Sequence, residues 1–216
     1  MKNPSLSLGV AVAVCLTALL PVHAQVIKVA CVGDSITAGF GLATNTDAYP
    51  AVLGRLLGTN YQTANFGVGG TTLLRKGDYP YWNTTAFQNA TSSAPDIVII
   101  ELGANDSKPQ NWQYKSEFAG DLGDLIDVFA NLSSRPRVFV CQCTPAYGLA
   151  ANINPDVIKN EVIPMIKQVA KQRSVTTVNL YTALSRRPEL FADLLHPNAA
   201  GAAILAKTLH AALLTP

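Results

Sequence analysis

Five short apolar runs recur along the chain with amphipathic helical stretches between them, and this alternation limits the possible folds more than any other feature. The runs are Val26–Val32, Tyr61–Phe66, Asp96–Leu102, Arg137–Cys143 and Thr176–Tyr181. Their hydrophobicity is nearly continuous rather than alternate, which suits parallel strands covered on both faces. Between them, Phe118, Leu122, Leu125, Ile126 and Phe129 share one helical face, while Asp121, Asp124 and Asp127 fall on a solvated one. A second helix is expected over Val157 to Gln172, kinked or divided by Pro164. A last helix from about Asn198 buries Leu205, Leu209 and Leu213, with His210 beside that stripe in a structural role. The pattern predicts a three-layer α/β/α sandwich around a parallel sheet of about five strands. Ligands of such sheets gather beyond the carboxyl ends of the strands. Residues that carry chemistry should therefore follow the strands directly.

Residues 1–24 have the pattern of a secretory signal peptide: Lys2, a largely apolar run from Leu6 to Leu20, and a small-x-small site at Val22-His23-Ala24. That run is short against the roughly 20 residues a membrane span needs. The expectation is a secreted or periplasmic protein, free of the membrane after cleavage, with residues 25–216 forming one domain. The formal net charge is +2 and no basic cluster stands out, so nucleic-acid binding has no electrostatic footprint. Cys31, Cys141 and Cys143 remain after the leader and are expected as buried thiols, the last two pointing to the same face of one strand. The absence of CxxC and HxxxH spacings gives no support for a metal site.

Four segments lie where ligands gather. Gly33-Asp34-Ser35-Ile36-Thr37 follows the first run, where a tight turn can lift the serine hydroxyl above the sheet edge. The same residues also make a plain Asp/Ser helix cap. Asn65-Phe66-Gly67-Val68-Gly69-Gly70 follows the second run and can present free N–H groups; neither GxGxxG nor a P-loop lysine is present. Gly103-Ala104-Asn105-Asp106 follows the third and carries a neutral amide donor, though Asn-Asp pairs commonly just brace turns. Beyond the leader only His196 and His210 remain as histidines, and only His196 has a carboxylate three residues upstream, Asp193. A serine hydrolase encoded here would use Ser35, His196 and Asp193.

These segments, in this order, resemble the SGNH subgroup of the GDSL esterase/lipase superfamily, with Ala104 standing where Thr is common. The resemblance implies a flavodoxin-like fold. It implies Ser35 as nucleophile, His196 as general base and then acid, and Asp193 as its orienting partner. The oxyanion hole would comprise the Ser35 N–H, the Gly70 N–H and the Asn105 amide. The reaction would be two-step acyl transfer without metal or cofactor.

Tyr79, Tyr81, Trp82, Trp112, Tyr114 and Tyr147 follow the second, third and fourth runs and so belong to the same rim. Aromatic faces with polar edges suit a sugar, and Arg75, Lys76 and Lys108 could meet an acid group on it; the aromatics could equally pack loops. Tyr79, Trp82, Trp112 and Tyr147 are the candidate substrate contacts. No sustained apolar lid is evident, and the resemblance points to secreted carbohydrate O-acetylesterases of the sialate type acting on a small-molecule or glycan ester. A broad esterase, thioesterase or lysophospholipase on the same triad, and a non-catalytic carbohydrate-binding protein, are the alternatives. Sequons occur at Asn83, Asn89, Asn105 and Asn131, and a glycan on Asn105 would block its amide. Oligomeric state leaves no mark on the sequence.

Overall fold

A computed structural model of the protein describes residues 25–215; the leader read at 1–24 lies outside the described residues. The chain runs β1 (Ile27–Gly33), α1 (Ser35–Ala38), α2 (Tyr49–Leu57), β2 (Tyr61–Gly67), α3 (Thr85–Ser92), β3 (Ile97–Glu101), α4 (Pro109–Trp112), α5 (Lys115–Ala130), β4 (Arg137–Gln142), α6 (Pro155–Val157), α7 (Ile163–Gln172), β5 (Thr176–Asn179), α8 (Leu180–Leu184) and α9 (Ala199–Leu214). The strands form one five-stranded sheet in the order β2-β1-β3-β4-β5, every pair parallel. The order is that of flavodoxin-like folds, and the chain reverses its direction of travel across the sheet between β1 and β3, where such folds bind ligands.

Successive residues of a strand face opposite sides, and the two halves of the core follow from this. Ala30, Val32, Val98, Ile100, Val138 and Val140 pack with α5 and α7 on one face. Val29, Cys31, Ile97, Ile99, Phe139 and Cys141 pack with α2, α8 and α9 on the other. The central strand β3 is buried throughout, whereas the edge strands β2 and β5 are not. That is why the second and fifth runs are the least apolar of the five.

The expected helical stripes are buried on α5 and α9, and several local expectations need correcting. The fifth strand stops at Asn179, whose side chain accepts the Thr182 N–H at 2.9 Å and starts α8, so Leu180 and Tyr181 are helical. Asp121 is buried, because its carboxylate accepts the Arg75 backbone N–H at 2.9 Å. Asp124 and Asp127 meet Arg75 and Arg173 at the surface. The interruption expected at Pro164 takes the form of a π-helical turn over Ile158–Val162, which separates α6 from α7 and leaves Pro164 in the first turn of α7, where a missing N–H costs least. Cys31, Cys141 and Cys143 are buried free thiols. Cys143, however, lies past the end of β4, where alternation lapses, and packs on the face opposite Cys141. Among the described residues no helix is long and apolar enough to cross a membrane.

Candidate active site

The segments after β1, β2 and β3 meet at the carboxyl edge of the sheet. Asp34 caps α1, accepting the Ile36 N–H at 2.9 Å, and this places Ser35 at the first helical position. Gly67 closes β2 against the backbone of Thr37 and Ala38, so close that a β-carbon there would collide with the Ala38 nitrogen. Asn65 ties the two segments together: its amide donates to the Thr37 carbonyl at 2.8 Å and its side-chain oxygen accepts the Gly67 N–H at 2.9 Å. Asp106 accepts the Leu73 and Leu74 N–H groups at 3.0 and 2.7 Å, bracing the loop after β2 against the turn after β3.

The loop before α9 is built around one carboxylate. Asp193 Oδ1 accepts the backbone N–H groups of Leu195 and His196 at 3.1 and 2.7 Å, and Oδ2 lies 2.6 Å from His196 Nδ1. A bridge between Phe191 and Pro197 closes the base of the loop, and the Tyr147 N–H donates to the Leu194 carbonyl at 2.8 Å. Partial burial would raise the Asp193 carboxyl, but the imidazole and the two backbone donors outweigh it and hold the group below the ordinary aspartate value. On the far side of the ring, His196 Nε2 stands 2.9 Å from Ser35 Oγ. The structure thus brings together a hydroxyl and an imidazole 161 residues apart in sequence. With its proton on Nδ1, facing Asp193, the ring leaves Nε2 able to accept the serine proton.

The three candidate donors belong to segments in or against the Ser35 turn. The Ser35 N–H begins a helix and has no intrahelical acceptor. The Gly70 N–H belongs to the turn that brings Gly69 beside the Ser35 side chain and has no backbone acceptor within that turn. The Asn105 amide donates to Asp34 Oδ2 at 3.3 Å with one of its two N–H bonds, which fixes the plane of the amide. Asn105 is only 6% exposed, so a glycan has no room on its sequon. Among the described residues no group of three or more His, Cys, Asp or Glu side chains could hold a metal ion.

Three carboxyls lie fully buried beneath this edge. Burial pushes Asp34 up to about 6 against the pull of its backbone donor, and Asp106 up to about 7 against its two. Glu101, the last residue of β3, is raised well above the ordinary glutamate value, first by burial and then by the neighbouring Asp34.

The candidate sugar contacts divide sharply. Tyr79 is 47% exposed and borders Gly70. Trp82 packs on Phe87, donates to the Leu73 carbonyl at 2.8 Å, and has the Arg75 guanidinium 4.0 Å over its ring. Trp112 is 8% exposed and donates to Glu161 at 3.0 Å, so it packs a loop instead of facing solvent, whereas Trp82 is half-buried. The Tyr147 hydroxyl clasps the 184–187 segment, donating to the Leu184 carbonyl at 2.6 Å and accepting the Arg187 N–H at 2.8 Å. Its ring still lines an open cleft of about 710 Å³ with Tyr181, Lys159 and Arg186. Arg75 and Lys76 are engaged by Asp124 and Glu117 at 2.6 and 2.7 Å. One contact escaped the sequence reading: Phe40 is 60% exposed, with its ring 4.6 Å from that of His196. Its position just past the first motif was the available signal, but its pairing with the histidine depends on a distant loop.

A sequence profile of the GDSL-like lipase/acylhydrolase family matches residues 31–204. An acetylxylan esterase of Xylanibacter ruminicola is 39% identical over 206 residues, covering 87% of this chain and 43% of the relative. The chain therefore spans less than half the length of that protein. Among solved structures, a carbohydrate acetylesterase of Sinorhizobium meliloti superposes with a TM-score of 0.71 at 19% identity, covering 87% of this chain and 98% of that one. An acetyl xylan esterase superposes with a TM-score of 0.66 at 22% identity, covering 87% and 100%. These two likenesses establish the shared fold.

Proposed function

The chain belongs to the GDSL-like lipase/acylhydrolase family, and on that premise we propose that it is a secreted serine esterase that removes acetyl groups from a carbohydrate. The observation that carries the reading is the Ser35–His196–Asp193 alignment, with contacts of 2.9 and 2.6 Å. The relative named for acetylxylan points to acetylated xylan as the first substrate to test. The leader read at 1–24 would export the protein, and residues 25–216 would act as one catalytic domain.

In this mechanism His196 Nε2 takes the Ser35 proton as Oγ attacks the acetyl carbonyl. The carbonyl π electrons move onto oxygen, where the Ser35 N–H, the Gly70 N–H and the free Asn105 N–H stabilise them. Collapse of the tetrahedral species expels the sugar oxygen, which takes the proton from His196, and leaves an acetyl-serine. Water, deprotonated by His196, repeats the sequence and releases acetate. Asp193 keeps the imidazole proton on Nδ1 throughout.

Incubation with acetylated xylan should release acetate, and esters beyond about six acyl carbons should be poor substrates. A preference for long acyl chains would replace this reading with a broad esterase or lysophospholipase. Xylan binding without acetate release would replace it with a carbohydrate-binding protein.

Two side chains offer sharper tests. Asn105→Ala removes one of three oxyanion donors and should lower kcat about 100- to 1000-fold with little change in KM. Wild-type turnover in that variant would remove Asn105 from the hole. Phe40 presents an exposed ring beside His196 on which a sugar can stack, so Phe40→Ala should raise KM on acetylated xylo-oligosaccharides about fivefold, with a smaller effect on kcat. An unchanged KM would put the sugar elsewhere.

A further inference from the structure

Glu101 ends the central strand, paired in register with Gly33, directly below the nucleophile turn. Its carboxyl is fully buried, and one oxygen, Oε1, has no hydrogen-bond partner; Oε2 has only the Thr37 hydroxyl, at a long 3.5 Å. Thr37 is itself engaged with the Tyr49 hydroxyl at 3.0 Å. A glutamate ionised in such a place would lack the cation or multiple donors that a buried charge requires. The ionisable and polar groups that act on it are Asp34 and Thr37 around α1, Tyr49 on α2, and Cys141 and Cys143 at the end of β4. Asp106 and His196 lie one layer further out, around Cys143 and Asp34 respectively. Among these described residues only His196 can carry positive charge, and it is directed at Ser35 and Asp193.

We propose that Glu101 is a positioning residue whose protonated carboxyl donates a hydrogen bond to Asp34, so that the two buried groups share one proton and hold the serine turn. The orphan oxygen then becomes a donor, and the partner it needs is the neighbouring Asp34 carboxylate. Asp34 distributes that support. One of its oxygens fixes the Ile36 N–H, and with it the start of α1 and the position of Ser35. The other accepts the Asn105 amide and sets the plane in which its second N–H points. Without a donor from Glu101, the carboxylate would compete for other donors and both reactive groups would lose their fixed orientation. Burial and the adjacent Asp34 charge favour the neutral form of Glu101, in agreement with the geometry. The effect on turnover rests on the esterase reading, but the shared proton does not.

The experiment compares wild type, Glu101→Gln and Glu101→Leu, each also in a Ser35→Ala background for spectroscopy. Gln keeps the shape and offers an N–H to Asp34, so kcat on 4-nitrophenyl acetate should stay within about threefold of wild type; Leu offers none and should cost about tenfold in kcat with KM nearly unchanged. The wild-type rate should fall at alkaline pH as the shared proton leaves, and Glu101→Gln should lack that limb. Stability gives the same sign. The folded protein holds a proton that the unfolded chain releases near pH 4.3, so wild type should lose Tm relative to Glu101→Gln as pH rises above about that value. The infrared difference between Ser35→Ala and Ser35→Ala/Glu101→Gln at pH 7 should show a protonated carboxyl band that only the former has. The absence of that band, or a Gln variant as impaired as the Leu variant, overturns the proposal. Should Glu101→Leu fail to fold, the Gln profile and the infrared band still decide. Both infrared and Tm readings stand even if the wild type hydrolyses no ester, so failure of the esterase reading is distinguishable.

Discussion

Ser35→Ala is expected to lower kcat on any acetyl ester about a millionfold, as loss of the nucleophile does where serine, histidine and aspartate act as one unit. The loss is large because nothing else near His196 Nε2 can take the role: the ring is 2.9 Å from Ser35 Oγ and is pinned from behind by Asp193. Water activated by the histidine would remain, assisted by the donors of the oxyanion hole, which accounts for a small residual rate. The fold should be untouched, since Asp34 rather than the Ser35 hydroxyl caps α1. Incubating wild type with an acetyl ester and analysing the quenched protein by mass spectrometry should place an acetyl group on Ser35; the alanine variant should acquire none. Retention of more than about one per cent of wild-type turnover would exclude Ser35 as nucleophile, given the expected size of the loss.

Asp193→Asn should cost about 10,000-fold in kcat while leaving the loop intact, because the change acts on the histidine tautomer. The two oxygens of Asp193 have separate tasks. Oδ1 accepts the Leu195 and His196 backbone N–H groups, and Oδ2 faces the imidazole. Asparagine can keep its one oxygen on the backbone donors, which leaves its NH2 group facing Nδ1. The imidazole must then carry its proton on Nε2, where it cannot accept the Ser35 proton. Kinetics on 4-nitrophenyl acetate together with a thermal melt test this: a near-native Tm with collapsed kcat is the expected pair. A variant with wild-type kcat would show that the carboxylate does not orient the base. Asp193→Ala is a poorer test, because it also strands two backbone donors at the base of the loop.

The legible parts of this protein are those encoded by contiguous residues. The apolar runs locate β1, β3 and β4 to within one or two residues because burial on both faces leaves almost no polar position in a central strand. The leucines of α9 and its start near Asn198, whose side chain caps it, are legible for the same reason: side-chain period and capping chemistry are local. Errors arose where a distant partner overrides the local pattern. Asp121 looks solvated on its own helix and is buried by the Arg75 backbone 46 residues away. Trp112 looks like a rim aromatic and is anchored to Glu161. Phe40 carried no signal of its contact with His196, which arrives from the far end of the chain.

The sequence by itself determined the layer architecture and the strand-end placement of each motif, and it left His196, with a carboxylate three residues upstream, as the candidate base. Only the tertiary structure decided that Ser35 and His196 lie within hydrogen-bond distance, that Asn105 is oriented by Asp34, and that Glu101 is sealed beside it without a cation. The physical reason is range. Periodicity, caps and turns act over a few residues, whereas contacts across the sheet edge depend on strand order, which hydrophobic patterning leaves undetermined.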